Sequence, residues 1–177
     1  MDLLLHICCA PCSIFSWEYF SGLGYSPRGY FFNPNIHPYR EFVRRMETLR
    51  DFGRRENRPV IFNEDYLLED FLSMAIDHES NRCHNCYRMR LLETARKARE
   101  AGIGHFSTTL LISPYQKHVL LKSVGEEAAQ RHGVNFVYAD LRSGFRESME
   151  QARKKEIYRQ GYCGCIFSEK ERYHRPK

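Results

Sequence analysis

The chain has 177 residues, 42% hydrophobic and 28% charged, enough for one soluble domain with a buried core. No apolar run approaches the roughly 20 residues of a membrane helix, so no membrane partner is expected. The net charge is +5, with 20 arginines against 7 lysines; arginine's planar fork suits phosphate, so a nucleic-acid partner fits, as does an arginine-rich solvated surface.

Residues 3–7, Leu-Leu-Leu-His-Ile, form a short apolar run suited to a first strand. The run is too short for a secretory signal and has no basic flank, so a cytoplasmic location is expected. Residues 8–12, Cys-Cys-Ala-Pro-Cys, read as a loop entering a helix, with Pro11 early in it and Gly22 or Gly24 at its end. The pattern predicts a second strand over 29–32, closed by Asn33-Pro34-Asn35. A helix follows from Tyr39 to about Asn57, where Phe42, Met46, Leu49 and Gly53 recur at helical spacing. A third strand over 59–62 precedes a helix over 65–75 with Leu68, Phe71 and Leu72 inward. Residues 77–82 read as a polar loop, and 83–100 as a long helix ended by Gly102. A fourth strand is expected over 105–111, with Ser113 capping a helix that runs to His132. Residues 135–139 read as a fifth strand, 143–160 as a helix and 161–168 as a glycine-containing loop. The charged tail from about residue 168 to Lys177 is expected to fray.

Strands alternate with helices throughout. The fold class is therefore α/β: a single three-layer domain over 1–177, with a mostly parallel sheet and helices on both faces. Ligands of such sheets bind beyond the carboxyl ends of the strands. Cys8 and Cys9 follow strand one there, Asn33 follows strand two and Asp140 follows strand five. No GxxxxGK[ST] or GxGxxG is present, and the turn that would hold a phosphate-binding glycine loop holds cysteines instead. A Rossmann-like sandwich lacking a phosphate loop is expected, with a metal in place of ATP or a dinucleotide. The CxxxCxxC of radical-SAM enzymes is also absent.

The seven cysteines form three groups: Cys8, Cys9 and Cys12; Cys83 and Cys86; Cys163 and Cys165. An odd number in a reducing compartment argues against a disulfide framework. Cys83-His84-Asn85-Cys86 opens a helix, whose N-terminus stabilises thiolate; alone it would fit half a zinc site or a redox dithiol equally well. Cys163 and Cys165 flank a glycine that permits close approach, and alone would read as buried small hydrophobes. Together the three groups point to metal. A closed zinc site and a [4Fe–4S] cluster each take four ligands, leaving about three thiols over. The vicinal side chains of Cys8 and Cys9 are expected to diverge and not to share one iron, so a second, adjacent metal is expected. Cys83 and Cys86 read as cluster ligands, joined by one of Cys8 and Cys9 and one of Cys163 and Cys165. The remaining thiols, Cys12 among them, bind the separate ion.

Cys9, Cys165 and Asp140 are the catalytic candidates, Asp140 as ligand or acid, although a turn aspartate looks the same. His6 reads as a core histidine, and His37, His84 and His118 are open candidates. Thr108 and Thr109 reach the site from strand four or simply favour a strand. Tyr39, Arg40, Arg44, Tyr87, Arg88, Arg90, Tyr115 and Lys117 mix aromatic and basic groups, which suits an unpaired base and its phosphates; solvated helix faces have the same composition. Asn33, Asn35, Tyr39, Arg40, Tyr87, Tyr115 and His118 form the candidate substrate-binding set.

Five segments carry a resemblance: HICCAPCS at 6–13, FFNPNIHPYREF at 31–42, RCHNCYRMRL at 82–91, TTLLISPYQKH at 108–118 and YRQGYCGCIFS at 158–168. In this order they resemble the QueH-type epoxyqueuosine reductases, with Leu141 replacing a phenylalanine as a mild departure. The resemblance implies reduction of epoxyqueuosine to queuosine at the wobble position of tRNA. It also implies a [4Fe–4S] cluster with a nearby mononuclear metal, iron; an external electron donor; and a nucleotide-binding (HUP-type) sandwich without its phosphate loop. The rival readings are a zinc-bearing RNA-binding module, an iron–sulfur tRNA sulfurtransferase, which wants the nucleotide loop missing here, and a thiol–disulfide oxidoreductase, which leaves five cysteines unused.

Overall fold

The computed structural model describes residues 1–77 and 81–174. Within them five strands form one sheet: β1 (Asp2–His6), β2 (Ser26–Phe31), β3 (Val60–Phe62), β4 (His105–Thr108) and β5 (Asn135–Phe136). Every pairing is parallel and the order is β3-β2-β1-β4-β5. β1 is central, and Leu3, Leu4 and Leu5 are fully buried; a strand covered on both faces reads as a continuous apolar run. Among the described residues seven α-helices surround the sheet: α1 (Ala10–Gly22), α2 (Tyr39–Arg55), α3 (Leu68–Asp77), α4 (Arg82–Glu100), α5 (His118–His132), α6 (Phe145–Lys154) and α7 (Ile166–Tyr173). α1 packs with α2 and α6, while α4 packs with α3 and α5 and against β1. The three-layer α/β expectation holds, and the sheet is wholly parallel. Among the described residues no helix is long and apolar enough to cross a membrane.

Several boundaries differ from expectation, for local reasons. β4 stops at Thr108, whose hydroxyl accepts the Leu110 N–H and caps a 3-10 turn over Thr109–Ile112. Ser113 does not cap α5; its hydroxyl accepts the Tyr115 N–H in a turn ahead of a helix that begins at His118. α6 ends at Lys154, not residue 160, because Glu156 turns left-handed (φ 55°) and the Ile157 N–H closes on Ala152 O. β5 is only two residues long. Ile166–Tyr173 is a helix, where a loop and then a fraying tail were expected. Arg82 ties it down, pairing with Glu171 at 2.6 Å and lying over the Phe167 ring. The expected loop over 77–82 is flanked by the end of α3 and the start of α4, and its centre, 78–80, lies outside the described residues, as does 175–177 of the tail.

Two buried histidines stitch the upper edge of the sheet. His6 Nδ1 lies 2.8 Å from Thr108 Oγ1 of β4, and its Nε2 lies 3.1 Å from Phe32 O just beyond β2. Burial, reinforced by Arg90, pushes its imidazole down to about 3. His37 is 2% exposed and meets Tyr66 Oη through Nδ1; burial pushes it down to about 4.

Two expectations follow from this packing. A Cβ on Gly125 of α5 would meet the Phe136 ring at 2.3 Å, so Gly125→Ala should cost about 1–3 kcal/mol by overpacking, read as a lower urea midpoint. The unfolded chain protonates His37 near pH 6.5, the folded chain only near 4. Between those values the unfolded state binds more protons, so stability falls as pH falls, by up to about 1.4 kcal/mol per pH unit for one such group. His37→Gln should flatten that slope in metal-free protein kept reduced.

Candidate metal centre

β1 lies between β2 and β4, where the strand order reverses, so the crevice beyond its carboxyl end is the natural ligand site of this topology. Cys8 emerges there. Its N–H donates to Thr109 Oγ1 at 3.2 Å, and the Thr109 hydroxyl faces Cys8 Sγ at 3.4 Å, which fixes the loop to the end of β4. Cys9 is extended (φ −167°, ψ 157°) and occupies the N-cap of α1; Pro11 sits in the first turn and Cys12 beside it. Cys9 Sγ lies 3.7 Å from Cys8 Sγ and 2.8 Å from Cys12 Sγ, and all three sulfurs fall within 4.8 Å of one another. The expected divergence of Cys8 and Cys9 is therefore wrong: the chain turns from strand to helix at Cys9, and the turn swings both sulfurs to one point.

The electrostatics of this trio are those of one shared negative charge. Cys12 and Cys9 direct S–H groups at Cys8 and hold it well below the usual thiol range. The neighbouring Cys8 charge raises Cys12, and burial raises Cys9. Gln160 Nε2 adds a contact at 2.9 Å to Cys9 Sγ and at 3.8 Å to Cys12 Sγ, and its buried Oε1 has no partner among the described residues.

The other four cysteines gather on the facing wall. Cys83 and Cys86 lie in the first two turns of α4. The Cys163–Cys165 loop is seated by Gly164, at φ 111°, where a Cβ would meet Ile36 Cγ1 at 2.8 Å; only glycine takes both that conformation and that space. Arg45 holds the loop from below, donating to Tyr162 O at 3.0 Å and Cys163 O at 3.1 Å, while the His37 N–H donates to Gly164 O at 2.8 Å. Cys165 is the N-cap of α7. Burial raises its thiol, and the Ser168 and Phe167 N–H groups oppose that. Burial pushes Cys86 up to about 12, with Arg90 opposing and the nearby Cys163 and Cys165 adding to the rise. All seven cysteines are free, Cys163 being exposed.

The two groups face one cavity of about 660 Å³, lined by Cys8, Cys12, Cys83, Cys163 and Cys165 together with Arg45, Tyr87, Thr109, Tyr115, Lys117, Gln160 and Tyr162. Cys9 and Cys86 are buried and do not line it; Cys9 Sγ contacts Cys12, and Cys86 lies one turn of α4 from Cys83. The donor set suits metal: unpaired sulfurs, mostly buried, with cationic and N–H groups aimed at them.

The expected substrate residues divide. Tyr87 and Tyr115 line the cavity. Asn33 and Asn35 are buried behind it, at 3% and 1% exposure, bracing Ile7 O and Cys163 O. Tyr39 is exposed and packs edge-on against Tyr66, and Arg40 is exposed; neither lines the cavity. His118 is buried, with Nε2 on Ser113 O and Nδ1 unpartnered among the described residues. His84 faces Asn85. Asp140 is outside the cavity lining, clamped by Arg142 Nε at 2.8 Å, and that guanidinium holds its carboxyl well below the usual carboxylate range. Sequence reasoning missed Arg45 and Gln160. Arg45 had a signal, since it interrupts the stripe of Phe42, Met46 and Leu49 that faces the core; Gln160 had only its place ahead of Cys163.

A family model described as "Epoxyqueuosine reductase QueH" matches residues 3–171, a span that includes all five quoted segments. The protein of that name from Dehalococcoides mccartyi is 38% identical over 174 residues, covering 98% of this chain and 96% of the relative. The one from Thermotoga maritima is 32% identical over 180 residues, covering 96% and 91%. Among solved structures, a predicted subunit of tRNA methyltransferase from Methanocaldococcus jannaschii superposes with a TM-score of 0.59 over 86% of this chain and 74% of that one. At 15% identity it shares the fold alone. The near-complete family match and these relatives agree with the cysteine-lined cavity, and the chain belongs to the epoxyqueuosine reductase QueH family.

Proposed function

We propose that this chain reduces epoxyqueuosine to queuosine in tRNA, holding a [4Fe–4S] cluster on Cys83, Cys86, Cys163 and Cys165 and a single iron on Cys8, Cys9 and Cys12. The observation that carries this reading is the division of seven free sulfurs into a tight three and a looser four around one cavity. Three sulfurs within 4.8 Å suit one ion with a position left open. Four more widely set thiolates suit a cluster, where each binds a different iron. This split differs from the one expected of the sequence, which mixed members of all three groups around Cys83 and Cys86.

Converting an epoxide to an alkene consumes two electrons and two protons and releases the oxygen as water. The bound metals would supply the electron relay from an external donor and a Lewis acid for the epoxide oxygen. The protein's own residues do the rest. Tyr115 is 80% exposed at the cavity mouth, braced edge-on by Phe145, and offers a face to an extruded base. The Tyr87 hydroxyl donates to Gln116 Oε1 at 2.7 Å and accepts the Lys117 N–H at 3.2 Å, which fixes the turn that carries Tyr115 and Lys117. Lys117 at the mouth offers a cation to phosphate. Burial keeps the protons on Tyr87 and on Tyr162, the latter pushed up to about 12, so both are proton-holding groups at the cavity wall. Asp140, held ionised by Arg142, is in the form of a ligand or base and not of an acid.

Anaerobic incubation of iron- and sulfide-loaded protein with epoxyqueuosine-containing tRNA and a reductant should lower the modified nucleoside by the mass of one oxygen. Unchanged mass, or a colourless protein that holds only zinc, would contradict the proposal. Cys83→Ser or Cys86→Ser should abolish acid-labile sulfide, brown colour and turnover together. Cys8→Ser or Cys12→Ser should abolish turnover while leaving sulfide and colour in place.

A further inference from the structure

Arg90 lies one turn beyond Cys86 on α4 and is 2% exposed. Its Nη2 donates to Asn33 Oδ1 at 2.9 Å, its Nε faces His6 Nε2 at 3.4 Å, and its Nη1 reaches Cys86 Sγ at 4.0 Å. Among the described residues no carboxylate pairs with it. The contrast with Arg45 is direct: that side chain is equally buried, and Glu41 stands 2.6 Å from its Nε. A guanidinium stays charged at any relevant pH. Burying one without a counter-ion is costly, and neutral Asn33 and His6 supply only dipoles. The fold thus holds a fixed cation in place from three elements, β1, α4 and the segment after β2, with no carboxylate against it among the described residues. The one group in contact with it that can become an anion, on ionising to hold metal, is the Cys86 sulfur at 4.0 Å.

We propose that Arg90 is the built-in counter-cation of the metal centre, a positioning residue whose charge stands against the Cys86 sulfur and favours the more reduced, more negative state of the iron held there. The inference rests on the metal-binding reading above and deepens it. A cation at this range raises the reduction potential, since net charge is one of the protein's main levers on such a centre.

The test uses full-length wild type, Arg90→Met and Arg90→Lys, each loaded anaerobically with iron and sulfide. Metal and sulfide content are measured, and the midpoint potential is read by a redox titration followed by electron paramagnetic resonance. Arg90→Met keeps the stem and loses the charge; poised at the wild-type midpoint, its ratio of reduced to oxidised centre should fall about tenfold, which for one electron is about 59 mV. Arg90→Lys should recover most of that loss. A loaded Arg90→Met with the wild-type midpoint overturns the proposal. If Arg90→Met holds no metal, recovery of loading and potential by Arg90→Lys supports it. Failure of both variants to load, whether their circular dichroism shows a folded or an unfolded chain, assigns Arg90 to shape and overturns it. Wild type that takes up no iron and sulfide is a separate outcome and removes the metal-binding reading and this inference together.

Discussion

Seven reduced sulfurs cannot share one cavity unless the surroundings supply positive charge. Burial strips thiolates of water, and each ionised sulfur opposes the next, which is why Cys9, Cys12, Cys86 and Cys165 are pushed upward while Cys8, within its trio, is pushed down. The chain answers with three helix starts, at Cys9, Cys83 and Cys165, and with two buried guanidinium groups, Arg45 and Arg90. The first guanidinium is neutralised by Glu41 and serves mainly to seat the Cys163–Cys165 loop. The second is left for the metal centre. What remains of the repulsion is relieved by the cations that thiolates bind.

The parallel sheet explains why these devices meet. Its central strand ends at the point where strand order reverses, and the helix that follows presents its N-terminus to the crevice. Related sandwiches use that N-terminus and a glycine loop to hold phosphate. Here the same position holds Cys8, Cys9 and Cys12. One anion has been exchanged for another, and the helix end serves both by the same physics. The fold likeness to a protein of different sequence is consistent with that: the scaffold positions a ligand, and the side chains choose it.

Much of this was legible in the sequence because it depends on local rules. The run Leu3-Leu4-Leu5 could only be a doubly covered strand, and the alternation of strand and helix fixed the parallel class. The rule that parallel strands deliver their loops to one edge placed Cys8 and Cys9 at the ligand site, and the convergence of the other two groups on them was expected from the number and grouping of the cysteines. The parts that were not legible depend on backbone turns and on tertiary contact. Cys8 and Cys9 looked divergent because alternation holds within a strand, whereas Cys9 leaves it. Ser113 looked like a cap because its residue type suits one, yet the turn at 113–117 claimed its hydroxyl. Ile166–Tyr173 looked like loop and tail because its helical order comes from Arg82 on a distant helix. Asn33 and Asn35 looked like substrate contacts because they follow a strand end, but they are turned inward to brace the chain.

The central claim is that the tight three and the wider four hold different iron. Anomalous diffraction at the iron edge from crystals loaded anaerobically tests it most directly. The account predicts two separate peaks: a compact single ion among Cys8, Cys9 and Cys12, and a larger feature among Cys83, Cys86, Cys163 and Cys165. One peak alone, a zinc edge in place of iron, or a cluster ligated by sulfurs drawn from both groups would contradict it.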